Sequence, residues 1–170
     1  MEPVEPSPAV AIAPMQPSHR ERVREIYLEG IETGLATFET SAPEWEAWDR
    51  AHFARPRLVA LSGDDVAGWA ALSPVSSRAV YSGVAEVSIY VAANARGRGA
   101  GKQLLGALVA GSEEEGFWTL QAGILARNLV SITLHLACGF REVGVRERIG
   151  RLRGAWEDVV LMERRSPRID

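Results

Sequence analysis

Hydrophobic and polar positions along this chain follow two periods, one of two residues and one of three to four. From Val84 to Ala92 the run Val-Ala-Glu-Val-Ser-Ile-Tyr-Val-Ala predicts a strand, and its alternation puts Glu86, Ser88 and Tyr90 on one face. Shorter apolar runs predict strands at Ala9–Met15, Arg57–Leu61, Val66–Leu72 and Thr119–Leu125. Two closing strands, Phe140–Val145 and Trp156–Glu163, are expected with a polar Gly/Arg loop between them. Helical spacing joins Val23, Ile26, Tyr27 and Ile31 up to Gly34, and Leu104, Leu105, Leu108 and Val109 up to Gly116. A further helix runs from about Leu129 to Ala137 and is stopped by Gly139. Ser18 with Glu21, and Ser41 with Pro43 and Glu44, have capping spacings and predict two helix starts. The order β-α-α-β-β-β-α-β-α-β-β is a mixed α/β arrangement around one sheet.

Composition narrows the function classes. The 170 residues are 46% apolar and 24% charged, ordinary for a globular chain. We expect one domain over residues 10–165, a disordered tail at 1–9 rich in proline (Pro3, Pro6, Pro8), and a C-terminal tail at 166–170. A net charge of −3 argues against gripping nucleic acid by bulk charge. No apolar run is long enough to cross a membrane, and the acidic, Pro-rich start lacks the pattern of a signal peptide, so a soluble cytoplasmic protein is expected. Cys138 stands alone, which excludes an internal disulfide and a cysteine-based zinc site. His19, His52 and His135 show no metal-ligand spacing, and no metal is expected. Glu113, Glu114 and Glu115 fall on the last turn of a predicted helix, where the dipole disfavours negative charge, and nothing local explains them.

The chemistry is concentrated where the Val84–Ala92 strand meets a turn rich in glycine and arginine, Asn94–Lys102, and then a helix. Such a turn leaves the first backbone N–H groups of the helix unpaired, and the dipole adds positive potential, which suits a phosphate. A Walker A loop fails because position 96 is Arg96 and position 103 is Gln103. A dinucleotide fingerprint fails because Gly97 and Gly99 are followed by Lys102 where glycine is required. The pattern that fits is [QR]-x-x-G-x-[GA], with Arg96, Gly99 and Gly101. With this motif in this place, the chain resembles the GNAT superfamily of N-acetyltransferases. The segment from Asn128 to Phe140, with Ser131, Leu134, His135 and Gly139, is similar to that superfamily's later helix. Ile31–Thr40, the pair Arg78 and Tyr81, Glu86, His135 and Gly154–Val159 resemble the phosphinothricin and methionine sulfoximine acetyltransferase subgroup.

The resemblance implies a mostly antiparallel central sheet flanked by helices, and acetyl-CoA as cosubstrate without a metal. It assigns the pyrophosphate to Arg96, Gly97, Arg98, Gly99, Ala100, Gly101 and Lys102. It assigns the pantetheine arm to Asn128 and to a strand that splays at Ile89, Tyr90 and Val91, where free amides also serve an oxyanion. The acceptor is expected to be a small-molecule amine, an amino-acid-like α-amine such as that of phosphinothricin, methionine sulfoximine or methionine sulfone. A neutral amine is needed for attack, so a base helps; Glu86, a carboxylate inside an apolar strand, is the candidate. His135 is a second proton carrier. Arg78 suits an acceptor carboxylate with Tyr81 beside it, and Phe38 and Trp156 are candidate pocket walls. Cys138 reads as a small buried apolar residue. Two alternatives stay open: a GNAT enzyme acting on a protein N-terminus, polyamine or aminoglycoside, and a silent acetyl-CoA-binding module. The loop Ser73–Ser82 carries no Asp or Glu, which argues against cationic acceptors. The resemblance also implies a homodimer.

Overall fold

The structure is a computed structural model that describes residues 9–170; residues 1–8 of the expected N-terminal tail lie outside the described residues. Its strands are β1 (Ala11–Pro14), β2 (Arg57–Ser62), β3 (Asp65–Pro74), β4 (Val84–Val91), β5 (Thr119–Leu125), β6 (Arg141–Leu152) and β7 (Ala155–Arg165). Its helices are α1 (Arg20–Thr33), α2 (Trp45–Ala51), α3 (Ala100–Glu114) and α4 (Leu129–Ala137). The strands form a sheet in the order β1-β2-β3-β4-β5-β7-β6. Every neighbouring pair is antiparallel except β4 with β5. The mixed, mostly antiparallel sheet with flanking helices agrees with the expectation.

β3 is apolar almost throughout because both its faces are covered. Ala70 and Leu72 pack with Leu104, Leu105 and Leu108 of α3, in a core that continues through Leu120, Phe140 and Met162. Trp69 and Ala71 point the other way, to Val23 and Ile26 of α1 and Trp48 of α2. Each fully buried leucine on α3 contributes about 1.5–3 kcal/mol through burial. The start of β4 is locked to the start of β5: Trp118 and Thr119 donate their N–H groups to Gly83 O at 2.9 and 3.2 Å. The Trp118 ring lies where a side chain at Gly83 would sit, 2.0 Å from a Cβ there, so only glycine fits.

Three local expectations change. The Ser18 cap is replaced by a 3-10 turn at Pro17–His19, in which the Gln16 N–H donates to His19 Nδ1 at 3.0 Å. The Ser41 start falls too early: Pro43 keeps the chain extended, and α2 begins after Glu44, whose carbonyl accepts from Trp48 N at 3.0 Å. The polar Gly/Arg loop is strand instead. β6 and β7 pair up to Leu152 and Ala155, with irregular register between Arg146 and Gly150. Most of β6 is exposed on both faces, so it holds by backbone pairing and carries no apolar alternation.

Glu113 also finds its reason in tertiary structure. Its carboxylate accepts from Arg164 Nη1 and from the hydroxyl of the buried Ser166, both at 2.9 Å, and faces Arg168. The hydrogen bond from Arg164 is the main cause holding the Glu113 carboxyl below its usual range, against a desolvation that pushes it up.

Candidate active site

β4 and β5 are paired only at Val84, Ala85 and Glu86, facing Thr119, Leu120 and Gln121. Beyond that rung β4 stays with β3 and β5 stays with β7, so the sheet opens. Alternate backbone groups from Val87 to Val91 face the opening rather than a strand. The opening is a cleft of about 350 Å³. β4 contributes Glu86, Ser88, Ile89 and Tyr90; the loop after α1 contributes Thr37, Phe38 and Glu39; α4 and its lead-in contribute Asn128, Ser131 and His135. A second cleft of about 340 Å³ adjoins it through Tyr27, Glu39, Ser88 and Tyr90, and reaches Trp48 and His52. Neither cleft is lined by Lys or Arg among the described residues.

Glu86 sits at the root of the opening. Gln121 Nε2 donates to its Oε2 at 2.8 Å. Its Oε1 faces Gly123, 3.9 Å from where a Cβ would be, so glycine keeps the space beside the carboxylate clear.

His135 is 2% exposed. Its Nδ1 lies 2.8 Å from Ser131 O, an acceptor only, so Nδ1 carries the proton and donates. Nε2 is then the lone-pair nitrogen, and it is buried without a hydrogen-bond partner. Burial lowers the His135 pKa, against the Ser131 carbonyl, so the ring is neutral at neutral pH. A buried acceptor without a donor is costly, and the ring that carries it lines the cleft.

The glycine turn has the geometry of an anion cradle. Gly97 and Gly99 take φ of 74° and 84°, with open space ahead of each. Gly99 caps α3 without a side-chain bond, and the N–H groups of Ala100, Gly101 and Lys102 have no partner among the described residues. Gly101 has a second reason to be glycine, because a Cβ would lie 3.3 Å from Leu134 and 3.6 Å from Val91. Arg96 turns back and donates Nε to Val91 O at 3.1 Å, fixing the end of β4. Arg98 lines a separate groove with Arg22, Asp65 and Asn94.

Asn128 caps α4, accepting from Ser131 N at 3.1 Å, while its Nδ2 donates to Leu35 O at 3.1 Å. Phe38 lines the cleft and packs with Leu125, Leu152 and Val159. Arg78 and Tyr81 are not brought to either cleft. They lie in the loop before β4, the guanidinium 5.4 Å from the ring centre. Trp156 is 53% exposed under Arg151, away from both clefts. Burial pushes the Cys138 thiol up, away from a nucleophile.

No site role follows from the sequence for Tyr27, Glu39, Gln121 or Trp48, although Tyr27 lies on the apolar stripe of α1. Gln121 had a signal, a polar residue inside an apolar strand, as Glu86 is. Tyr90 stacks on Trp69 at 4.9 Å and meets Tyr27 edge-on at 4.8 Å. Burial raises the phenol pKa of both tyrosines, so they stay protonated as hydrogen-bond donors.

Among the described residues no cluster of His, Cys, Asp or Glu is placed to hold a metal ion, and no helix is long and apolar enough to cross a membrane. Residues 20–140 match the family model described as acetyltransferase (GNAT) family. The chain is 35% identical over 149 residues to a phosphinothricin N-acetyltransferase of Alcaligenes faecalis, covering 84% of this chain and 75% of the relative. It is 34% identical over 121 residues to an L-methionine sulfoximine/L-methionine sulfone acetyltransferase of Pseudomonas aeruginosa, covering 69% and 70%. A crystal structure of a phosphinothricin acetyltransferase from Sinorhizobium meliloti in complex with AcCoA superposes with a TM-score of 0.84 at 32% identity, covering 92% of this chain and 88% of that one. With residues 20–140 matched by the family model and relatives this similar, the chain belongs to the acetyltransferase (GNAT) family.

Proposed function

We propose that this protein is an acetyl-CoA-dependent N-acetyltransferase for the α-amine of a small amino-acid-like acceptor. The observation that carries the reading is the parting of β4 from β5 directly after Glu86, beside an α3 N-terminus with free amides. Acetyl-CoA, when bound, supplies an acetyl group activated as a thioester. The residues fit it: the amides of Ala100, Gly101 and Lys102 suit its pyrophosphate, with Gly97 and Gly99 leaving the approach open. The free edge of β4 at Ile89, Tyr90 and Val91, with Asn128, suits its pantetheine amides.

Glu86 takes the proton that the acceptor's ammonium must lose before it can attack. Gln121 holds one carboxylate oxygen and leaves the other for that proton. His135 offers a neutral Nε2, so it accepts a hydrogen bond or proton and does not donate one first. Arg78 remains the cation proposed for an acceptor carboxylate, although it lies outside both clefts over Tyr81, so binding would have to draw in the loop before β4. The homodimer belongs to the same proposal, with the open edge of β6 and its exposed Val143, Val145 and Ile149 as the face; sedimentation at micromolar concentration tests it.

One observation favours a second acceptor class. The carboxylates on the clefts are Glu39 and Glu86, and neither cleft presents Lys or Arg. A cationic amine without a carboxylate would therefore be held without Arg78. The deciding experiment follows CoA thiol release with methionine sulfoximine, methionine sulfone, phosphinothricin, ordinary amino acids, spermidine, an aminoglycoside and short peptides. Turnover confined to the first three is expected. Turnover confined to spermidine or the aminoglycoside would move the acceptor to the second class.

A further inference from the structure

The loop segment Ala36–Glu39 lines the cleft, yet its root is held from behind by other elements. α1 ends at Thr33, and Gly34 at φ 66° turns the chain outward. Three carbonyls at this turn accept side-chain donors from distant segments. Ile31 O accepts from Arg153 at 3.2 Å, Gly34 O from Arg127 at 3.2 Å, and Leu35 O from Asn128 at 3.1 Å. Arg127 is itself gripped on two sides by the buried Glu157, at 3.0 Å through Nε and 2.6 Å through Nη2. The hydrogen bond from Arg127 is the main cause holding the Glu157 carboxyl below its usual range, against desolvation. At the tip, Phe38 rests where a side chain at Gly150 would be, 2.7 Å from a Cβ built there.

We propose that Arg127 is a positioning residue for the acceptor. Oriented by Glu157, it ties the Gly34 turn to the β5–α4 side of the cleft and sets how far the Thr37–Glu39 wall stands from β4. Gly150 sets the same wall from its other end by leaving room for Phe38. This rests on the proposed function only in taking that wall as the acceptor side. The bidentate grip matters because a planar guanidinium with two bonds to a carboxylate has one orientation, and the second N–H of Nη2 then points at Gly34 O. Arg127 touches no residue proposed to move a proton, so its loss changes fit rather than chemistry.

The experiment combines amide hydrogen exchange of the loop, acetyl-CoA titration and acceptor kinetics. Arg127→Met is expected to speed exchange at Ala36–Glu39 about tenfold and raise acceptor KM by a similar factor, with acetyl-CoA affinity within about twofold. The double exchange Arg127→Glu with Glu157→Arg restores an ion pair but leaves no donor at 127 for Gly34. It is expected to regain thermal stability while keeping the raised KM and fast exchange. Gly150→Ala, at a backbone that is not left-handed, should displace Phe38 and raise KM most for acceptors with long side chains. Unchanged exchange in Arg127→Met, or a KM fully rescued by the double exchange, would overturn the proposal and leave Arg127 a structural ion pair. Absence of turnover by the parent protein with every acceptor would defeat the proposed function instead, and the exchange data would still decide this inference.

Discussion

The side-chain amide of Gln121 reaches across the last paired rung of β4 and β5 to hold Glu86 Oε2 at 2.8 Å. The base candidate is thus anchored where the sheet stops being continuous. Glu86→Gln sets an amide against an amide and removes the proton acceptor. We expect kcat to fall about 10²–10³-fold, most severely at low pH where the acceptor is protonated, with acetyl-CoA affinity nearly intact. Stopped assays from pH 6 to 9, with calorimetry for the donor, check this; an unchanged rate would remove Glu86 as the base.

His135 predicts a pH dependence of stability. Its folded pKa lies below the unfolded value of about 6.5, so the unfolded chain binds the proton more readily. Its contribution is complete above about pH 6.5 and is lost as pH falls through the lowered folded value. His52, lowered by burial despite its bond to Trp48 O, adds the same sign. Melting temperatures at pH 5 and 7.5 should therefore differ less in His135→Phe than in the parent. An equal difference would exclude a buried neutral ring at 135.

Arg78 stands outside both clefts, over the exposed ring of Tyr81. If it reaches an acceptor carboxylate, Arg78→Ala raises KM about tenfold for amino-acid acceptors and leaves it unchanged for acetyl-CoA. Equal KM values in parent and variant would return Arg78 to the surface.

The Glu113 carboxylate joins the end of α3 to Arg164, Ser166 and Arg168. Glu113→Gln should cost about 2 kcal/mol, or about 4–8 °C in Tm. Because the Glu113 pKa is lowered, this stabilisation is present above about pH 4.3 and is lost as pH falls through the folded value. Thermal melts at pH 7 and pH 4 measure both; a variant as stable as the parent at pH 7 would refute it.

Where burial leaves a periodic trace, the sequence was legible. α3, β3, β4 and α4 lie close to where their patterns put them, and Glu86 and His135 meet in one cleft as their elements imply. β6 was not legible beyond Val145, because a strand exposed on both faces needs no apolar alternation and shows its nature only through pairing with β7. Glu113 looked misplaced because its partners lie some fifty residues on, at Arg164, Ser166 and Arg168. The second cleft depends on how α2 sets Trp48 and His52 edge-on to Trp69 of β3, which no local pattern encodes. The Arg127–Glu157 grip joins positions that only the β5–β7 pairing brings near each other.

The short seam between β4 and β5 has a thermodynamic consequence. On one face of the sheet α3 carries the core across the seam; on the other, the halves meet through three strand rungs and the side-chain ties from Gln121, Arg127, Asn128 and Arg153. A molecule lodged in the gap contacts both halves at once and does so only while the chain is folded. Occupancy should therefore act as a rivet, with Tm climbing logarithmically with ligand concentration above Kd. Melting curves would then rank donors and acceptors by grip alone, whether or not a given pair reacts.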